Sequence, residues 1–298
     1  MAILPARLLL GVTRAVLRRE LVPPRAMWWL AADGMDTWYR TLRHGLAEPL
    51  GSAANAERTL ARIAARAYVR RYDLARAADP ALPDRERDPR VVGLFVGALA
   101  RCVVHRRTRF LLADVGGAPR TPGEHLRAQR LVARLSPRAR WEEVATHLGE
   151  VLIALTEELP KTLTGANAVL GRICFDGGVR YGTQVQRAFA LPDGPASAIE
   201  VLRIGEYIFR VNPEHWGEAD VRAGDGWLEG TACPWFSAPG WQNVHCGIFG
   251  QFQAGVASVF GLRYHLTKTI PRHGGGTCRI DLRPIALRAS AGGRALAT

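Results

Sequence analysis

Cysteine and histidine residues that could do chemistry are concentrated between Gly230 and Pro284. Three of the five cysteines and three of the eight histidines lie in this segment, namely Cys233, Cys246, Cys278, His245, His265 and His273. A thiolate is a nucleophile and a soft metal ligand, and an imidazole is a base near neutral pH. This concentration indicates a site, although small buried cysteines are also common in ordinary cores.

Cys246 is the strongest candidate for a reactive residue. Asn243 is a suitable N-cap for a helix that runs to about Phe260, which places Cys246 in the first helical turn. Because unpaired amide groups and the helix dipole favour the thiolate there, we predict a lowered pKa for Cys246. A hydrolytic role would also require a base, and the adjacent His245 points about 100° away around the helix. The catalytic candidates are therefore Cys246, Cys233, His273 and His265.

Cys278 precedes a strand in which Ile280 and Leu282 have the same parity, so its side chain is predicted to point with them into a core or a pocket wall. Cys233, Cys246, His273 and Cys278 have residue types that suit zinc. The sequence has no Cys-x-x-Cys or His-x-x-x-His pair among them to supply the usual chelating spacing. We therefore predict no metal and no cofactor.

Glycines interrupt two of the predicted helices near this segment. Gly177, Gly178 and Gly182 interrupt a helical pattern over residues 165–189, and each costs roughly 1 kcal/mol against alanine in a helix interior. The close approach of another backbone explains them best, and a ligand lying across the helix is the alternative. A pocket between such helices would be lined by aromatic side chains. The candidate ligand-binding residues are Tyr181, Gly178, Trp235, Phe249, Phe252 and Cys278.

The elements that must position these residues change in type along the chain. Helical periodicity predicts helices over about 6–21, 55–76, 90–112 and 137–158, with a further helix starting at Thr121. Alternation from Ile199 to Ile204, the Gly205-Glu206 turn and residues 207–212 predict an antiparallel hairpin. Further strands are predicted over 226–232, 264–270 and 278–282. The fold class is therefore α+β, with a helical N-terminal half followed by helices packed on an antiparallel sheet.

The net charge of +13 is unevenly distributed. Residues 1–150 carry 26 arginines against 15 acidic residues, or +11, and the remaining 14 basic and 12 acidic residues give +2. An anionic partner should therefore meet the first half, although an Arg-rich composition can also reflect a GC-rich genome. Five scattered cysteines favour a reducing, cytoplasmic compartment, and no apolar run reaches the roughly 18 residues needed to span a membrane.

Residues 6–40 could contact a membrane surface. A basic amphipathic helix over 6–21 precedes a segment that contains Trp28, Trp29, Trp38 and Tyr39. Such a combination can lie on an anionic bilayer, and the alternative is that both segments dock on the protein body. Docking is favoured because tryptophan is usually well buried. We expect at most weak binding to anionic membranes through these residues, which would make the protein peripheral.

Several motifs in residues 150–288 resemble known families. Cys246 with its Gly-rich aromatic helix, a following strand and the Gly-x-x-x-Cys-Arg-Ile run from Gly274 to Ile280 resemble the 4-vinyl reductase-like small-molecule-binding domains. The Cys-Pro-Trp at Cys233, the His245-Cys246 pair and Thr267-Lys-Thr-Ile look more like the L-2-amino-thiazoline-4-carboxylic acid hydrolase-like proteins. The resemblance leaves the first half of the chain unexplained.

The resemblance implies helices packed on one antiparallel sheet with an apolar ligand pocket between the layers. Some 4-vinyl reductase-like relatives hold zinc through a Glu and cysteines, but the corresponding positions fall near Thr267 and Ile270, so that site is expected to be absent. The hydrolase-like relatives are expected to use a cysteine, and the matching candidates are Cys233 and Cys246.

Two functions follow from these observations. The first is a domain that binds a small, largely apolar molecule, and the alternative is a cysteine-dependent hydrolase of a small heterocyclic or amide-like substrate. We predict a basic helical region over 1–150, a ligand-binding domain over 151–288 and a flexible tail over 289–298. The expected partner is a small molecule and not a nucleic acid, and a homodimer is compatible with the sequence.

Overall fold

The computed structural model describes residues 8–285 with gaps at 9–10, 14, 17–18, 20, 88, 105, 116–120, 125, 127–129, 131–134, 211–214, 221, 232 and 275. The tail predicted over 289–298 lies outside the described residues. The helices are α1 (Pro24–Ala47), α2 (Ala53–Ala78), α3 (Pro89–Val103), α4 (Pro137–Glu158), α5 (Ala166–Phe189), α6 (Pro195–Ile208), α7 (Asn243–Val259) and α8 (Ile270–His273). Short 3-10 helices span Arg106–Leu112 and Leu159–Lys161.

Four antiparallel strands form one sheet in the order β1-β2-β4-β3. They are β1 (His215–Asp220), β2 (Asp225–Gly230), β3 (Leu262–Lys268) and β4 (Cys278–Pro284). Leu228 lies opposite Ile280, which lies opposite Leu266 on the other side. This row belongs to the inner face of the sheet, which α6 and α7 cover. The α+β fold class and the helical first half are confirmed.

The helices of the structure agree with the predicted ranges in part, and they differ from them at two N-caps and at one helix end. Helix α4 covers the predicted range of 137–158, and Ser136 caps it through a 3.1 Å hydrogen bond from the Ala139 amide. Ser52, rather than Asn55, caps α2, and Gln242, rather than Asn243, caps α7. The helix predicted over 90–112 ends at Val103, before the 3-10 turn.

The hairpin predicted over residues 199–212 is wrong, because Pro195–Ile208 forms helix α6. Gly194 and Pro195 are a helix start, with proline at the first helical position. Most side chains of α6 are buried, including those of Ile199, Val201 and Ile204. A helix that is apolar on nearly all sides has no clear 3.6-residue period, so its apolar residues can fit an alternating pattern by chance.

The buried core is continuous across the two predicted domains. One cluster of buried residues includes Met35 and Leu60 in the first half and Val256 and Leu282 in the second. The predicted boundary at residue 150 lies inside α4, whose side chains pack against both α1 and α2. A division at that position would therefore split a helix and its buried face.

Candidate functional site

Helices α5 and α7 meet at backbone contact through their glycines. A Cβ atom at Gly178 would collide with the Phe252 carbonyl, and one at Gly255 would collide with the Phe175 carbonyl. A Cβ at Gly182 would lie 3.3 Å from the Val256 Cα. The backbone explanation is therefore correct for Gly178 and Gly182, whereas a Cβ at Gly177 would meet only the side chains of Thr41 and Phe252, at 3.7 and 3.8 Å. Gly178, predicted as a ligand contact, faces the α7 backbone instead.

A row of aromatic rings runs beside this helix pair. Tyr181 of α5 lies 5.7 Å from Phe252, and Phe249 lies 6.5 Å from Phe252 and 5.3 Å from Trp235, measured between ring centroids. These distances show that the structure brings three predicted ligand-binding residues together: Tyr181, Phe249 and Phe252. All three side chains are half-buried.

Trp235 has a packing role in this row. Its side chain is buried, and its indole Nε1 donates a 2.9 Å hydrogen bond to the Ala145 carbonyl of α4. A Cβ at Gly149 would collide with the Trp235 ring, so α4 has a notch that fits this side chain. Trp235 thereby packs the loop between β2 and α7 against α4. Its prediction as a ligand contact is not supported by this geometry.

The thiols of Cys233, Cys246 and Cys278 lie near one another. Burial raises the pKa of each, and the pKa of Cys233 is raised further by Cys278 and Cys246, while that of Cys246 is raised further by Cys278. Such mutual electrostatic effects require proximity. All three side chains are half-buried, and they come from the loop after β2, from α7 and from β4. The fold therefore brings three free cysteines that are far apart in the sequence near one another.

The prediction of a lowered pKa for Cys246 is wrong. Cys246 lies one residue further into the helix than expected, because α7 begins at Asn243 with Gln242 as its N-cap. Burial raises its pKa, and a 3.3 Å hydrogen bond from Trp241 Nε1 to its sulfur lowers the pKa by less. Desolvation of the thiolate outweighs the favourable helix position.

The histidines have partners other than the thiols. His245 Nδ1 accepts a 2.8 Å hydrogen bond from the Gln242 amide, and its Nε2 is 2.8 Å from Thr156 Oγ1. His273 Nδ1 accepts a 3.0 Å hydrogen bond from the Thr269 amide. His265 lies opposite Asp281 in the sheet, with parity opposite to Tyr264 and Leu266, and so belongs to the outer face. The predicted base His265 therefore lies on the sheet face opposite to Tyr264, and His273 is hydrogen-bonded within its own helical turn.

A chain of hydrogen bonds that local sequence patterns do not predict lies beside the thiols. Tyr264 Oη donates to Gln253 Oε1 at 2.9 Å, and Gln253 Nε2 donates to the Glu206 carboxylate at 3.2 Å. Burial raises the pKa of Tyr264 well above its usual value, and Glu206, Cys246 and Cys278 raise it further. Gln253 of α7 therefore links Tyr264 of β3 to Glu206 of α6, and Cys246 and Cys278 lie near enough to the phenol to affect its pKa.

One of the missed residues had a signal in the sequence. Gln253 follows Cys246 by seven residues and Phe249 by four, which places all three on one face of a helix. Glu206 was hidden because its segment was assigned to a turn. Tyr264 had the correct inward parity, but nothing in its own segment indicated that a helix would present a glutamine to it.

Tyr181 adds a second buried hydroxyl group. Burial raises its pKa above the usual value, and its Oη atom is buried without a hydrogen-bond partner. A Cβ atom at Gly205 would lie 3.7 Å from this oxygen, so the hydroxyl points toward α6 one residue before Glu206. Leaving a buried hydroxyl group without a partner costs about 1 to 3 kcal/mol.

Among the described residues, no group of three or more His, Cys, Asp or Glu side chains is arranged to hold a metal ion.

Comparisons of the chain with protein-family models, with characterised proteins and with solved structures find no match. The described part of the chain contains no helix that is long and apolar enough to cross a membrane.

Proposed function

We propose that the protein binds a small, largely apolar molecule in a space between α6, α7 and the inner face of the sheet. Tyr181, Cys246, Phe249 and Tyr264 would line this space, with Cys233 and Cys278 at its thiol-rich side. The resemblance to the 4-vinyl reductase-like domains implies a pocket between the same kinds of layers. The protein's own geometry supplies the argument for it.

The observation that carries the proposal is that deep side chains retain accessible surface. Burial raises the pKa values of Tyr181 and Tyr264, yet both side chains are only half-buried. Cys246 and Cys278 combine the same two properties. Side chains that are largely surrounded by protein and still partly accessible are suited to line a cleft between packed layers.

The polar groups favour a ligand with at least one hydrogen-bonding group. The hydroxyl of Tyr181 is buried and has no partner within the protein, so it is a polar point that a ligand would reach by displacing the ring. The chain from Tyr264 through Gln253 to Glu206 fixes a second polar point. An apolar space with a few fixed polar groups is the usual form of a small-molecule site.

Cysteine-dependent hydrolysis is the alternative, and the convergence of three thiols is the observation that favours it. Such a mechanism requires a thiolate and a base within hydrogen-bond reach. The thiol pKa values are raised, and His245 and His273 make hydrogen bonds to other groups. Binding is therefore the function that the geometry supports better.

Fluorescence titration with 1-anilinonaphthalene-8-sulfonate, a probe of apolar sites, tests the proposal. We expect saturable binding at one site per chain and loss of that site in Cys246→Phe, which fills the space. Gly247→Ser is the matched control, because a Cβ there meets no atom within 4 Å. Retention of the site in a cooperatively folded Cys246→Phe protein, or no saturable binding to the unmodified protein, would overturn the proposal.

A further inference from the structure

Exposed apolar side chains are concentrated between residues 8 and 30. Nine large hydrophobic side chains are exposed in the described part of the chain, and five of them lie in this short segment: Leu8, Val12, Leu21, Trp29 and Leu30. Their exposed fractions range from 47% to 63%. The other four are scattered along the sequence. Such a concentration marks an interaction surface rather than ordinary surface composition.

The described residues at the start of this segment present an apolar stripe to solvent. Leu8, Val12 and Ala15 are all exposed, and their spacing of four and three residues matches one face of a helix. A helix that only docked on the protein would turn such a stripe inward.

The second part is the start of α1, which the protein holds with Trp29 outward. Met27 is fully buried, and Trp28 Nε1 donates a 2.7 Å hydrogen bond to the Cys102 carbonyl. The Arg140 guanidinium lies over the Trp28 ring at 4.9 Å from its centroid. These contacts fix the rotation of α1, and in that rotation Trp29 and Leu30 face solvent.

The charge of this segment identifies the partner. Residues 1–30 contain five arginines and one glutamate, so their net charge is +4. Arg19 and Arg25 are exposed among the apolar side chains. Two copies of this surface would repel each other, whereas an anionic lipid headgroup layer would attract it and accept the tryptophan and leucine side chains at the level of the headgroups.

We propose that the exposed side chains between Leu8 and Leu30 form a peripheral contact with a bilayer that contains anionic phospholipid. The exposed apolar side chains enter the headgroup region, and the arginines contact the phosphates. The expectation that both N-terminal segments only dock on the body holds for the buried face of α1. It does not account for the exposed stripe.

Vesicle co-sedimentation of the full chain tests this proposal. We expect binding to vesicles of phosphatidylcholine with phosphatidylglycerol, little binding to phosphatidylcholine alone, and release at high salt, where the Debye length falls to about 3 Å. Trp29→Ser with Leu30→Ser should lower the partition coefficient roughly tenfold, and Arg19→Gln and Arg25→Gln about fivefold each.

Matched controls separate this surface from general effects. Phe236→Ser removes an exposed aromatic side chain elsewhere, and Arg187→Gln removes an exposed charge on α5, so both should leave binding unchanged. Equal binding to neutral and anionic vesicles, no binding to either, or equal loss in the control variants would overturn the proposal. So would a dimer of the free protein that Trp29→Ser with Leu30→Ser converts to a monomer, because the surface would then bind a second copy.

Discussion

The five thiols differ in depth, and this difference sets their reactivity. Burial raises the pKa values of Cys102, Cys174 and Cys233 to about 12, and Cys102 and Cys174 are fully buried. Cys246 and Cys278 are half-buried, and the effect of burial on their pKa values is partly offset by hydrogen bonds to the sulfur atoms.

We therefore expect Cys246 and Cys278 to be alkylated before the other three thiols. Limiting iodoacetamide near pH 8, followed by peptide mass mapping, measures the order. The denatured protein, in which all five thiols are exposed, is the control. Labelling of Cys102 or Cys174 first would contradict the placement of Cys246 and Cys278 on an accessible surface.

Two tyrosines of the site should respond oppositely to loss of their hydroxyl groups. Tyr181 Oη has no partner, so Tyr181→Phe removes an unsatisfied buried group and should leave the free energy of unfolding unchanged or raise it by about 1 kcal/mol. Tyr264 Oη donates to Gln253, so Tyr264→Phe should lower it by about 1 kcal/mol. Urea denaturation measures both, and equal losses would show that Tyr181 has a partner in the folded protein.

Helices α5 and α7 depend on their glycines for contact. Gly178→Ala places a methyl group against the Phe252 carbonyl, so the helices must separate, and we expect a loss of roughly 1 to 3 kcal/mol. Gly247→Ala on the same pair of helices meets open space and should stabilise α7 by up to about 1 kcal/mol. Thermal and urea unfolding of both variants measure the difference, and similar effects from the two substitutions would contradict the backbone contact.

Helix α4 carries a buried histidine that makes stability depend on pH. His147 is 2% exposed, stacks on Tyr68 at 4.4 Å between ring centroids and lies 2.7 Å from Tyr39 Oη. Burial lowers its pKa from 6.5 to about 3. The folded state therefore binds fewer protons than the unfolded state, and stability is lost as the pH falls from about 6.5 toward 3, by roughly 4 kcal/mol at the lower end.

The variant His147→Gln keeps a hydrogen-bond acceptor for Tyr39 and should reduce this acid sensitivity. Glu143 acts in the opposite direction, because burial raises its pKa to about 7 and its protonation therefore stabilises the folded state as the pH falls through this value. The difference between the two proteins isolates the histidine. Parallel curves of the free energy of unfolding against pH would contradict a buried neutral His147.

The elements show how far the sequence could predict this fold. Helix α4 was predicted over its full range because Ser136 and Pro137 mark its start and its length exceeds five turns. Helix α6 was missed because it is buried on nearly all sides. The predicted sheet lacked the edge strand β1. The prediction that Cys278 has the same inward parity as Ile280 and Leu282 was correct.

The candidate site was predictable only in part, because it depends on contacts between distant residues. Cys246, Phe249 and Gln253 share a helical face that the sequence shows. The meeting of Gln253 with Glu206 and Tyr264 depends on how α6, α7 and β3 pack, which local periodicity does not specify. The burial that raises the pKa of Cys246 also depends on this packing, so the sequence alone predicted a lowered pKa.

The whole molecule is organised around α4 and the continuous core. Glu150 of α4 pairs with Arg70 of α2 at 2.9 Å, and the same arginine donates a hydrogen bond to the Pro239 carbonyl in the loop that carries Trp235. Helices α2 and α4 of the basic first half therefore contact the loop that leads into the site. We therefore expect a ligand that occupies the site to stabilise the whole chain rather than a part of it.

A crystal structure under xenon pressure tests the binding proposal most directly, because xenon enters internal apolar spaces that are large enough to hold it. We predict a xenon atom among Tyr181, Cys246, Phe249 and Tyr264, with the Tyr181 hydroxyl free of protein partners. A structure with no xenon there, in which these side chains close on one another and Tyr181 Oη bonds to a protein group, would contradict the account.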